Sequence, residues 1–143
     1  MQNILITLLI KINHNPKKLF LIDSIGAFLT AILLFVILSY FEPEFGLPKQ
    51  TLYCLFTLAC TFAIYSFACY KNVNKNWNKY LQIISIANFL YCLLTLILII
   101  IYRNRITKLG LIYFIIEVII IGCLAYIEIK IAKKYQQEIN NRT

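Results

Sequence analysis

Charge is scarce in this chain. Acidic and basic residues make up 14% of its 143 positions, against roughly a quarter in an ordinary soluble domain. Glycine and proline are few as well, four and three in number, which excludes a collagen-like or low-complexity chain. The lone histidine, His14, has no set of metal ligands beside it in the sequence. The five cysteines (Cys54, Cys60, Cys69, Cys92 and Cys123) include no C-x-x-C pair. A disulfide framework, thiol exchange and cluster binding therefore have no motif behind them, and buried cysteine more often acts as a small hydrophobe. No glycine loop that would cradle phosphate and no G-x-S-x-G elbow occurs. The sequence gives no reason to expect an enzyme, a metal or a cofactor.

What it has in quantity is hydrocarbon: 61% of the residues are hydrophobic. Crossing the roughly 30 Å apolar layer of a bilayer takes a helix of about 20 such residues. Four runs qualify, at 19–41, 51–70, 80–102 and 109–129, joined by short connections at 42–50, 71–79 and 103–108. The runs are continuous, whereas barrel strands alternate over about ten residues. Short linkers favour antiparallel neighbours. The expected fold is all-α: one integral-membrane four-helix bundle occupying the whole chain, with a basic cytoplasmic tail at 130–143.

Lys and Arg set the expected orientation. Ten of them (Lys11, Lys17, Lys18, Lys71, Lys75, Lys79, Lys130, Lys133, Lys134 and Arg142) lie on the side of the two termini. Four (Lys49, Arg103, Arg105 and Lys108) lie on the other. The positive-inside rule then puts both termini in the cytoplasm and the chain in the plasma membrane, multi-pass. Net charge is +8, but these residues border the apolar runs instead of forming one basic face, so they point to anionic lipid heads and not to nucleic acid. Tyr40, Phe41, Phe45 and Tyr53 suit an aromatic belt at one interface; Tyr70, Trp77, Tyr80, Tyr126 and Tyr135 suit the other.

Residues 2–13 are too few to span. On a helix, Asn3, Thr7, Lys11 and His14 would form a narrow polar stripe with Ile4, Leu5, Leu8, Leu9 and Ile12 on the rest of the surface. That pattern predicts a short interfacial helix on the cytoplasmic leaflet, with partner docking as the alternative.

An ionisable residue at the centre of a spanning helix costs at least about 2.5–3.5 kcal/mol, so it calls for a partner or a purpose. Asp23 is expected one turn into the first run, eased by the helix N-terminus and by Lys17 and Lys18. Glu128, beside Lys130, is expected to reach the interface. Glu117 stands deep in the fourth run with no basic residue in any run to pair with, and is expected to carry its proton.

Polar and small residues recur at helical spacing in each run: Asp23, Gly26, Ala27, Thr30 and Ala31; Thr57, Thr61 and Tyr65, with Ser66 beside them; Ser85, Asn88, Cys92 and Thr95; Gly110, Glu117, Leu124 and Glu128. Small residues permit close approach in lipid, and hydroxyls and amides bond across the contact. These stripes are expected to face one another. Asp23, Thr30, Tyr65, Asn88 and Glu117 form the candidate polar site. Glu117 and Asn88, about 18 Å and 12 Å above the same edge, are close enough in height to pair. The outer loop with Glu42, Pro43, Glu44 and Gly46 either just joins two helices or offers its acids to Arg103, Arg105 and Lys108.

The combination Asp23-x-x-Gly26-Ala27, Phe45-Gly46-Leu47-Pro48 and Tyr65-Ser66-x-x-Cys69 resembles a group of small, uncharacterised four-helix inner-membrane proteins of bacteria. The resemblance runs over about 19–134 and implies a fold and a location without an activity. The leading expectation is a non-enzymatic bundle that assembles with a second copy or another membrane protein; the alternative is a small proton-coupled transporter using Glu117, with Asp23 as a second candidate carboxyl.

Overall fold

The apolar runs do form helices, and the places where they stop have local chemical causes. The computed structural model describes residues 17–73 and 76–140. The expected interfacial helix at 2–13, His14 and residues 141–143 lie outside them. Among the described residues there is no strand. The first helix, α1 (Lys17–Val36), passes into a π-helical turn (Ile37–Phe41) and a short α2 (Glu42–Phe45). Pro43 explains the widening: it has no N–H to donate to the carbonyl four residues back, and its ring crowds that carbonyl. Gly46 then ends α2 in the left-handed region at φ 77°, its N–H bonded to the Glu42 carbonyl.

Pro48 starts α3 (Lys49–Asn72) in an extended conformation, with its carbonyl accepting from the N–H groups of Thr51 and Leu52. Asn76 precedes α4 (Trp77–Ile101) in the left-handed region, which asparagine tolerates better than most residues. Thr107 caps α5 (Lys108–Asn140): its hydroxyl oxygen accepts the Gly110 N–H at 3.1 Å. At 33 residues, α5 is about 50 Å long and continues through the basic segment after position 129. Four of these helices, α1, α3, α4 and α5, are long and apolar enough to cross a membrane.

The helices associate as two pairs, α1 with α3 and α4 with α5, and the pairs meet each other more sparsely. Two apolar clusters hold the bundle. One includes Leu34, Phe45, Leu52, Leu55, Tyr91 and Phe114; at the opposite end, the other includes Leu19, Phe20, Cys69, Leu81, Ile84 and Ala132. Buried polar residues Asp23, Ser24, Ser66, Ser85, Asn88 and Glu128 occupy levels between the clusters. The outer surface is the reverse of a soluble protein's: Ile25, Phe28, Ile64, Leu90, Ile112 and Ile119 are all exposed, among many others.

Three details differ from the sequence expectations. Phe45 is core and not belt: it is 7% exposed and meets the Tyr113 ring edge-on at 5.4 Å between centroids. Thr57 and Thr61 face outward, and each hydroxyl is satisfied there by donating at 2.8 Å to the carbonyl four residues back in its own helix. The outer loops meet through backbone instead of charge. Glu42 pairs with Lys49 at 3.1 Å, while Thr107 donates to the Glu44 carbonyl oxygen and Gly46 lies against the Arg105 carbonyl.

Candidate functional site

The pairwise association of helices leaves a gap between α1 and α5. It is a cleft of about 290 Å³, with Ala59 and Phe62 of α3 and Asn88 and Tyr91 of α4 at its back. Asp23, Gly26, Ala27 and Thr30 line the α1 wall; Tyr113, Glu117 and Leu124 line the α5 wall. Gly26, Ala27 and Thr30 of α1 therefore border open space instead of a close helix contact, whereas Ala31 packs into the core. A Cβ built on Gly26 would meet nothing within 4 Å. At the mouth stand Leu29, Leu33, Ile116 and Ile120, all exposed. The opening is thus on the side of the bundle, partway along the helices, and its rim is apolar.

Asp23 is 2% exposed, deeper than a position one turn into the helix suggests. Ser66 donates to its Oδ2, and the Asn88 amide donates to its Oδ1 at 2.6 Å. Both carboxyl oxygens are occupied, and the Asn88 bond ties the α1–α3 pair to the α4–α5 pair. Glu117, 7% exposed, is held differently. The Tyr91 hydroxyl donates to its Oε1 at 3.0 Å, while its Oε2 is buried with no hydrogen-bond partner. The hydroxyl of Tyr113, a residue that also lines the cleft, is likewise buried without one. Such groups are rare in folded proteins, and each invites an explanation.

The expected Glu117–Asn88 pair does not form. Asn88 engages Asp23, and Tyr91, one turn further along α4, takes its place beside Glu117. Side chains lean toward the N-terminus of their own helix. On antiparallel α4 and α5, Asn88 and Glu117 consequently lean apart. Thr30 is half-buried on the cleft wall. Tyr65 stands elsewhere, packed against the Leu19–Phe20 cluster.

Glu128 does not reach an interface: it is 0% exposed, with Oε2 taking a 3.0 Å bond from the Ser85 hydroxyl and Oε1 unpartnered. Tyr91 and Tyr113 were not among the candidates from sequence. A signal for them exists in the spacing: Tyr113 is four residues before Glu117 on one helix face, and Tyr91 is three after Asn88. Among the described residues, no group of three or more His, Cys, Asp or Glu side chains is arranged to hold a metal ion.

The arrangement combines an acid with one free oxygen, two phenols and apolar walls. It can bind a polar head while covering an apolar body, and it can give or take a proton. No family model, curated protein or solved structure matches the chain.

Proposed function

We propose that the chain is a multi-pass protein of the plasma membrane with both termini cytoplasmic, and that it works as a small proton-coupled transporter, exchanging a proton with a small solute at Glu117. Membrane residence is supported by four long apolar helices whose exposed faces are hydrocarbon and whose polar residues lie inside. Orientation is supported by ten positive residues against four.

One observation carries the functional part: Glu117 and Tyr113 line the cleft, and Glu117 Oε2 and the Tyr113 hydroxyl are buried without a hydrogen-bond partner. Asp23 has both oxygens engaged, and Glu128, which also keeps one oxygen unpartnered, does not line the cleft; Glu117 alone of the three combines an unpartnered oxygen with a place on the cleft wall. Self-assembly is the weaker reading, since lipid alone accounts for the exposed apolar faces.

Infrared difference spectroscopy in lipid vesicles tests the proposal. The expected result is a carboxylic-acid band that is missing in Glu117→Gln and that shifts when H2O is exchanged for D2O. No such band, or one that D2O leaves unmoved, overturns it.

A further inference from the structure

We propose that the cleft between α1 and α5 takes a small lipid-soluble amine that enters sideways from the hydrocarbon and binds with its nitrogen against Glu117. This rests on the reading of Glu117 as the exchange site and names the ligand class that the site fits.

Entry comes first. The mouth lies between two helices partway along their length, and Leu29, Leu33, Ile116 and Ile120 form its rim. A solute arriving that way comes out of the bilayer, so it must be uncharged on arrival and mostly apolar. Size follows from the cavity: 290 Å³ lies at the small end of ligand pockets. Phe62, Ile121 and Leu124 offer apolar walls for its body.

The head group is set by what the walls present. The titratable groups facing the cleft are Asp23, Tyr91, Tyr113 and Glu117, with no Lys, Arg or His among its lining residues. Asp23 has both oxygens engaged, and Tyr91 holds Glu117 Oε1. What is left without a hydrogen-bond partner is Glu117 Oε2 and the Tyr113 hydroxyl, both buried, on two residues that line the cleft. A free amine supplies the matching group. Its lone pair takes the Glu117 proton: the carboxyl O–H bond breaks, an N–H bond forms, and the electron pair of the broken bond remains on the carboxylate. The resulting ammonium donates to Oε2, and the Tyr113 oxygen accepts a second N–H. In a low-dielectric cleft that ion pair is far stronger than in water. An alcohol of the same shape hydrogen-bonds but takes no proton, so it lacks the ion pair. A quaternary ammonium has no uncharged form in which to arrive.

The test is equilibrium dialysis of the full chain in zwitterionic nanodiscs, with empty nanodiscs as the partition control. The probes are 4-phenylbutylamine and its isosteric alcohol, 4-phenylbutan-1-ol. We expect saturable 1:1 amine binding at least about tenfold tighter than the alcohol, the difference made by one ion-paired, hydrogen-bonded group. Glu117→Gln, which keeps an oxygen for Tyr91, should abolish the amine's advantage. Tyr113→Phe should weaken the amine severalfold and leave the alcohol less affected. Ile120→Trp, which fills the mouth, should block both.

Equal binding of amine and alcohol to the unaltered chain, or an amine advantage that survives Glu117→Gln, overturns the proposal. If the advantage is missing while the Glu117 band still exchanges in D2O, the ligand class is wrong and the proton-exchange reading stands. If the band does not exchange, both readings fall.

Discussion

The Asn88 amide donates to Asp23 Oδ1 at 2.6 Å, across 65 positions of sequence, and joins the α1–α3 pair to the α4–α5 pair. Ser66 holds the other oxygen of the same carboxyl. Where the two pairs of helices otherwise meet sparsely, this three-residue cluster acts as a clamp.

Removing the clamp's donor should therefore cost more than replacing its acid by an amide. Asn88→Ala leaves a buried carboxyl oxygen unpaired and should lower stability by about 1–2 kcal/mol. Asp23→Asn keeps an acceptor for Asn88 and offers Ser66 a donor, so it should change stability by less than about 0.5 kcal/mol. Unfolding by SDS in mixed micelles measures both. Equal losses in the two variants would show that the carboxyl itself, and not the hydrogen-bond pattern, holds the contact.

The glycines divide into two kinds. A Cβ on Gly46 would overlap the Arg105 carbonyl, at a φ of +77° that already disfavours side chains; one on Gly110 would overlap the Phe45 carbonyl. Gly46→Ala and Gly110→Ala should each lose roughly 1–3 kcal/mol through forced backbone movement. Gly26→Ala and Gly122→Ala meet open space and should be neutral or slightly stabilising, since alanine favours helix by about 1 kcal/mol. Thermal melting in detergent separates the pairs; a loss at Gly26 as large as at Gly110 would contradict the open cleft.

Thr107 joins the two outer loops and caps α5 at once, through its bonds to the Glu44 carbonyl and the Gly110 N–H. Thr107→Val should cost about 1–2 kcal/mol, and Thr107→Ser very little. By contrast, the Glu42–Lys49 pair is solvent-exposed on its lysine side. Glu42→Gln should stay within about 0.5 kcal/mol, as exposed pairs do. A melt in which Glu42→Gln outweighs Thr107→Val would restore charge as the link between the loops.

Orientation is checked by fusion. With ten positive residues on the side of the termini and four opposite, a fluorescent protein on the C-terminus should light up and a phosphatase there should stay inactive. Activity of the phosphatase alone would invert the bundle.

Length and chemistry of the apolar runs, together with their proline, glycine and asparagine punctuation, determined the four long helices and their short connections. These are local properties: a run of 20 or so apolar residues lacking helix breakers forms a helix wherever it sits. Glu117 was conspicuous for the same reason, as a deep acid with no basic residue in any run to pair with. What each acid touches was not legible. Partner choice depends on the rotation and height of each helix, and those are set by packing among residues far apart in sequence. Tertiary structure alone gave Asp23 to Asn88, Glu117 to Tyr91 and Glu128 to Ser85. It also turned Thr57 and Thr61 outward and left Gly26 facing a cleft where close packing was expected. The stripe of small residues was present in the sequence; whether it closed a helix contact or opened a site was decided when α1 packed on α3 and left α5 at a distance.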